Sequence, residues 1–224
     1  MKQTIFITGT DTGAGKTVLT ALLVRHLREH GVNAVALKPV CSGGRGDARA
    51  LQTAMNGALA LDEINPWHFR APIAPRLAAR RERRQVRLAE VLAHIHAMQK
   101  RFEVVLVEGA GGLLSPLGED FDSRDLLAAL RATPVIVSPN RIGVVNQVLL
   151  ALNALPRGRA AGARIVLMSP PRPDASTGTN AGLIAELSAT KRIFEQPWLG
   201  GRPVAGKVRM VSRVRRTMRQ LMEA

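Results

Sequence analysis

The chain has 224 residues, 46% of them hydrophobic and 22% charged, with 32 Lys plus Arg against 17 Asp plus Glu and a formal net charge of +15. This composition excludes wholesale disorder, and the absence of any run of about 18 apolar residues excludes a helix that spans a bilayer. Cys41 is the only cysteine, which excludes an internal disulfide and a cysteine-rich zinc site.

The N-terminus, Met1-Lys2-Gln3-Thr4, leads straight into a strand-like run at Ile5–Ile7, so no leader is expected and the expected compartment is the cytoplasm. A glycine-rich turn follows. A helix is predicted from Thr17 to His30, with Leu19, Leu22, Leu23 and Leu27 on one side and Gly31 as its terminator. Ala34–Leu37 reads as a strand, 41–46 as a flexible loop and Asp47–Met55 as a short helix. Pro66, Pro72 and Pro75 predict loop, and Arg83–Arg101 a long basic amphipathic helix. Val104–Val107 reads as a buried strand, and Ser123 is expected to cap a helix through Leu130. Val135–Val137 and Ile165–Leu167 read as strands. They precede helices near Val144–Leu155 and Asn180–Ala189, and a basic helix closes the chain from about Ser212. Continuous apolar strands that alternate with helices predict one α/β domain over residues 1–224. Its parallel sheet is covered on both faces, with ligands at the carboxyl ends of the strands.

The strongest local signal is Gly9-Thr10-Asp11-Thr12-Gly13-Ala14-Gly15-Lys16-Thr17, between a strand and a helix. Backbone N–H groups in such a turn wrap phosphate oxygens. Lys16 brings positive charge to the β- and γ-phosphates, and the Thr17 hydroxyl is placed to coordinate Mg²⁺. The generic phosphate loop wants glycine at position 10, whereas here Thr10 occupies that place and the glycine stands one residue earlier. Glu108 ends the strand Val104–Val107 and precedes Gly109-Ala110-Gly111-Gly112, where a carboxylate faces the phosphate loop. Asp47 is either a second metal ligand or simply a helix cap. Lys38, in Lys38-Pro39-Val40-Cys41-Ser42-Gly43, also lies at the carboxyl edge of the sheet. A second lysine there suits charge stabilisation during phosphoryl transfer. His94 and His96 are two residues apart on a helix and diverge, so they make a poor metal pair.

Together these segments resemble the dethiobiotin synthetase family, whose form of the phosphate loop has the same displaced glycine. The resemblance also covers Lys38-Pro39-Val40 with Ser42-Gly43, Val107–Gly112, Pro197-Trp198-Leu199, and Asn65-Pro66-Trp67 with Phe69, Pro72 and Pro75. It implies a single-domain P-loop NTPase-like parallel sheet and a C–N-bond-forming ligase of biotin biosynthesis. In that reaction 7,8-diaminononanoate, CO₂ and ATP give dethiobiotin, ADP and phosphate through a phosphorylated carbamate, with Mg²⁺ as cofactor. Lys38 and Lys16 would flank carbamate and γ-phosphate, and Thr12 and Ser42 would hold the substrate. The nucleotide would lie on Gly13, Ala14, Gly15, Lys16, Thr17 and Val18, on Asp47, Glu108, Gly109, Ala110 and Gly111, and on Gln196, Pro197 and Trp198. Thr17, Asp47 and Glu108 would hold Mg²⁺. The resemblance also implies a homodimer, in which Gly143, Val144, Val145 and Asn146 meet the substrate's carboxylate from the neighbouring subunit.

The chain departs from the family in three places. Met168-Ser169-Pro170-Pro171 stands where members commonly carry an Asn-Asp pair whose Asn reads adenine, which leaves the base preference open. Arg76 stands where His is common, and the segment from Cys41 to Asp47 is short. The basic charge raises nucleic acid as a partner. However, the positives are dispersed, with modest clusters at Arg76–Arg87 and Arg202–Arg219, and aromatics are only 3%. Few stacking platforms are therefore present, so the charge reads as solvated surface and nucleic acid as an unlikely partner. The alternatives are a nucleotide-binding relative without synthase activity and a partition-type ATPase that binds DNA. Against the second, Asp11 stands where that class carries its signature lysine.

Overall fold

The computed structural model describes residues 2–200 and 212–223. Its strands, in chain order, are β1 (Gln3–Gly9), β2 (Ala34–Leu37), β3 (Val40–Ser42), β4 (Trp67–Phe69), β5 (Val104–Gly112), β6 (Thr133–Pro139), β7 (Arg164–Met168) and β8 (Ile193–Gln196). Its helices are α1 (Lys16–Glu29), α2 (Gly46–Ala54), α3 (Leu61–Ile64), α4 (Pro75–Arg81), α5 (Leu88–Arg101), α6 (Ser123–Ala129), α7 (Val144–Ala154), α8 (Asn180–Leu187) and α9 (Ser212–Glu223). A six-stranded sheet runs in the order β2-β5-β1-β6-β7-β8, and every neighbouring pair is parallel. The chain is therefore α/β with helices packed on the sheet. The central strands are buried along their length, as in Ile5–Ile7 and Val105–Val107. This burial is why they read as unbroken apolar runs rather than alternating ones.

Strand register sets up the site. Leu37 of β2 pairs with Val107 of β5, and Ile7 of β1 pairs with Glu108. Lys38 and Glu108 thus emerge side by side at the carboxyl edge, next to the turn that follows β1. The register between β1 and β5 shifts between Ile7 and Gly9, where the strand bends into that turn.

Several sequence expectations need correction. Residues 41–46 are not all loop, because Cys41 and Ser42 belong to β3, which forms a separate two-stranded parallel sheet with β4. These strands have three residues each, too short to show a period of two. Pro75 does not extend the loop but opens α4 at its first turn, where a missing N–H costs nothing. The expected helix Arg83–Arg101 splits. Arg83 adopts a positive φ of 53° just beyond α4, and α5 starts only at Leu88. The Glu90 carboxylate accepts the Arg87 N–H at 3.3 Å and Asp120 accepts that of Leu88 at 3.2 Å, so two otherwise orphaned donors mark the new start.

Ser123 is the first residue of α6 rather than its cap. Asp122 holds that position, accepting from Asp125 N at 2.9 Å and donating its own N–H to the Asp125 carboxylate at 3.0 Å. The edge strand β8 is a further difference, because the sequence pattern predicts no element between Ala189 and Ser212. Of the C-terminal basic cluster, Arg213, Arg215, Arg216 and Arg219 lie exposed on α9, whereas Arg202 falls outside the described residues. Among the described residues no helix is long and apolar enough to cross a membrane.

Candidate active site

The turn after β1 is held by its own backbone. Gly15 precedes α1 with φ 96°, a left-handed conformation that glycine adopts without steric cost. At position 9, a Cβ would lie 2.9 Å from the Asp11 carbonyl oxygen, so this is where the turn is tightest. The Thr10 side chain instead reaches Ser138 on β6, with the two hydroxyls 2.8 Å apart. This geometry explains why the glycine of this loop stands at position 9 and a threonine at position 10. Lys16, the first residue of α1, is buried and donates from Nζ to the Asp11 carbonyl at 2.9 Å.

Beside the loop lies a cluster of charge. The Lys38 ammonium donates to Glu108 Oε1 at 2.7 Å and to the Gly109 carbonyl at 2.8 Å, and it lies 3.2 Å from Asp47 Oδ2. The Thr17 hydroxyl donates to the same Glu108 oxygen at 2.7 Å. The other oxygen, Glu108 Oε2, is buried without a hydrogen-bond partner. Such an orphan is costly unless a cation or donor meets it. One hydroxyl and two carboxylates form an all-oxygen donor set. That chemistry suits a hard divalent cation which keeps part of its water shell, and the uncommitted Oε2 fits this use. Among the described residues no group of three or more His, Cys, Asp or Glu side chains gathers as a metal site, here or elsewhere. His94 is committed to structure, bonding the Glu63 carbonyl at 2.8 Å and meeting Trp67 edge-on.

The two lysines are tuned in opposite directions. Burial lowers the Lys16 pKa to about 8, and the nearby positive charge of Lys38 pushes the same way. Lys38 is still more deeply buried, which works to strip its proton. The carboxylates of Glu108 and Asp47 outweigh that effect and hold its pKa above the ordinary lysine value.

A cavity of about 660 Å³ joins these groups. Thr12, Gly13, Gly15, Lys16, Thr17 and Val18 form one wall; Lys38, Ser42 and Asp47 form a second, and Ala110 and Gly111 a third. Ala14 is buried behind the loop. Glu108 and Gly109 reach the cavity through their bonds to Lys38. The remaining wall is Pro72–Pro75 with Ser115 and Pro116, residues that carry no charge to single them out in the sequence. Ser42 donates to the Ile73 carbonyl at 2.6 Å and ties that wall to β3.

Two expected groups lie elsewhere. Gly143, Val144, Val145 and Asn146 open α7 and do not line this cavity within the one chain. Gln196 ends β8, and Pro197 and Trp198 follow it. There Gln196 is buried opposite Met168 in the register and Trp198 is half exposed. The Met168 side chain packs on the far side of Gly15, 3.0 Å from where a Cβ would stand.

Residues 3–216 match a family described as an AAA domain. The chain is 42% identical over 199 residues to an ATP-dependent dethiobiotin synthetase BioD from Anaeromyxobacter dehalogenans (strain 2CP-C), covering 87% of this chain and 89% of that protein. It is 36% identical over 169 residues to the protein of the same name from Methanocaldococcus jannaschii, covering 74% and 78%. Among solved structures it resembles a ParA family ATPase from Chlorobium tepidum TLS, with a TM-score of 0.62 at 15% identity over 97% of both chains. It also resembles pNOB8 ParA bound to nonspecific DNA, with a TM-score of 0.61 at 12% identity over 100% and 98%. At such identities the structural likeness establishes the fold alone, a phosphate-loop α/β sheet. The sequence relatives go further, matching 74–87% of a chain whose phosphate loop carries the displaced glycine and whose second lysine sits against Glu108. The chain therefore belongs to the dethiobiotin synthetase family.

Proposed function

We propose that the protein is a ligase that uses ATP to convert 7,8-diaminononanoate and CO₂ into dethiobiotin, ADP and phosphate. One amine of the substrate adds to CO₂ and loses a proton, giving a carbamate. A carbamate oxygen attacks the γ-phosphorus and ADP leaves. The second amine then attacks the carbonyl carbon of this anhydride, the ring closes, and phosphate departs with release of a proton.

The observation that carries this reading is the convergence of two lysines on one cavity, with Lys38 locked between Glu108 and Asp47. Negative charge accumulates on carbamate and phosphate through every step, so fixed positive groups lower the barrier without reorganising. Lys38 faces the carbamate and the transferred phosphoryl group. Lys16 leaves the Asp11 carbonyl to meet the phosphates, together with the N–H groups at Gly13–Val18. Ala110 and Gly111 border the nucleotide, and Gln196, Pro197 and Trp198 flank its base. Thr12 and Ser42 orient the diamine. Thr17, Asp47 and Glu108 would hold Mg²⁺, which would supply neutralisation of phosphate charge. Two copies of the chain form the working unit. The start of α7, at Gly143, Val144, Val145 and Asn146, receives the substrate carboxylate from the neighbour's side, where its dipole and free N–H groups favour an anion.

The test is turnover of purified protein with diaminononanoate, bicarbonate and Mg²⁺, run in parallel with ATP, CTP and GTP. Phosphate release that requires the diamine, and dethiobiotin in matching amounts, is the expected result. Nucleotide hydrolysis indifferent to the diamine would refute the assignment. The three nucleotides compared side by side show how far a site with Met168-Ser169-Pro170-Pro171 in place of the Asn-Asp pair restricts the choice of base.

A further inference from the structure

Asn65 follows α3 as its C-cap and is fully buried, and four neighbours, with the Trp67 carbonyl more distant at 3.5 Å, use up its hydrogen-bonding capacity. Its Nδ2 donates to the Lys38 carbonyl at 2.6 Å, and its second hydrogen faces the Pro39 carbonyl at 3.4 Å. Its Oδ1 accepts from Arg45 Nε and from Cys41 Sγ, both at 3.2 Å. A guanidinium can only donate and a carbonyl can only accept, so a single orientation of this amide satisfies all four.

The network has two legs. On one, the Lys38 peptide is gripped at both ends, because its N–H donates to the Ile64 carbonyl at 2.9 Å while its carbonyl takes the Asn65 amide. On the other, Arg45 donates from Nη2 to the carbonyls of Leu61 at 2.7 Å and Asn65 at 3.0 Å, and its Nη1 pairs with Asp62 at 2.7 Å. Arg45 is the residue before α2, and Asp47 lies in the first turn of that helix. The Asn65 amide is thus bonded directly to the peptide that carries Lys38 and to the side chain that pins the helix carrying Asp47.

We propose that Asn65 is a positioning residue for phosphoryl transfer, and that its side-chain amide sets the relation between the Lys38 ammonium and the Asp47 carboxylate. The inference rests on the reading of Lys38 as the group that meets the transferred phosphoryl. Lysine has a long, flexible stem, and its aim depends on where its backbone is held. Asparagine suits the position because it offers two donors and two acceptors on one planar group. Serine has too few donors and too short a reach to bridge both legs.

A double-mutant cycle on the full-length enzyme tests this, with phosphate release at saturating substrates as the readout. Asn65→Ser is expected to lower kcat by about 10- to 100-fold, the scale of a misplacement near 1 Å, while KM for ATP stays close to that of the parent enzyme. In the Lys38→Ala background the same change is expected to leave the residual rate unaltered, because nothing remains to be aimed. An equal fractional loss in both backgrounds would mean a purely structural Asn65 and would overturn the proposal. A full kcat in Asn65→Ser beside a Lys38→Ala enzyme slowed at least about 100-fold overturns this inference alone; full activity in Lys38→Ala overturns the reading of the site along with it. If Asn65→Ser does not fold, Arg45→Met loosens only the second leg. It should then lower kcat in the parent but not in Asp47→Asn, and equal losses in both would defeat the proposal.

Discussion

Lys38 and Glu108 are paired charges with almost no access to water. Removing one partner strands the other, which typically costs about 3–5 kcal/mol in a buried pair. Lys38→Ala is therefore expected to lower the melting temperature while the sheet still forms, and to cut phosphate release by at least about 100-fold, the scale of losing one preorganised charge at a transition state. Calorimetry and a phosphate assay on the same sample separate the two effects. Lys16 makes a different prediction. Its pKa of about 8 rises when triphosphate arrives, so binding takes up a proton. Affinity for ATP should be full below pH 8 and fall as pH rises past it, while the free enzyme loses the charge that the nucleotide must restore. Titration calorimetry at pH 8, in buffers of different ionisation enthalpy, should show that uptake; an enthalpy independent of buffer would contradict it. Both lysines were legible in the sequence, Lys16 in the phosphate loop and Lys38 at a strand end. The opposite shifts of their pKa values were not, because those depend on which carboxylates stand within 4 Å and on how deeply each ammonium is buried.

At the scale of single elements, α1 offers a comparison between its two ends. Gly15 before it and Gly31 after it both have positive φ, at 96° and 78°. A Cβ on Gly31 would meet nothing within 4 Å, whereas one on Gly15 would crowd the Met168 side chain. Asparagine tolerates the left-handed conformation, so Gly31→Asn is expected to cost under about 1 kcal/mol. Gly15→Asn combines that strain with overpacking against β7. It should cost at least about 2 kcal/mol and abolish nucleotide binding, and denaturant melts with an ATP-binding assay on both variants check the contrast. The helix itself was readable to within a residue, since its leucines repeat on one face and a glycine closes it. The β3–β4 pair was not. Its strands are three residues long, and what holds them is the Trp67 N–H to the Pro39 carbonyl and the Gly43 N–H to the Phe69 carbonyl, contacts between segments far apart in sequence.

Across the whole molecule, 32 basic residues face 17 acidic ones. The ion pairs among the described residues include exposed ones such as Arg80–Glu119 and Arg101–Glu63. Exposed pairs of this kind contribute little, and a net charge of +15 repels itself. Raising NaCl from about 10 mM to about 150 mM shortens the screening length from about 30 Å to about 8 Å. The melting temperature is expected to rise over that range; a fall would mean that surface ion pairs outweigh the self-repulsion.

The sequence alone determined the alternation of strands and helices, the phosphate loop, the two lysines and the two carboxylates, because hydrophobic periodicity and turn chemistry are local. Tertiary structure decided what those groups are to one another. The pairing of Leu37 with Val107 brings Lys38 beside Glu108 from 70 residues away. The closing of a polar network around Asn65, and the walling of the cavity by Pro72–Pro75, belong to the same level. Strand register and long-range hydrogen bonds are properties of the assembled sheet, and no window along the chain contains them.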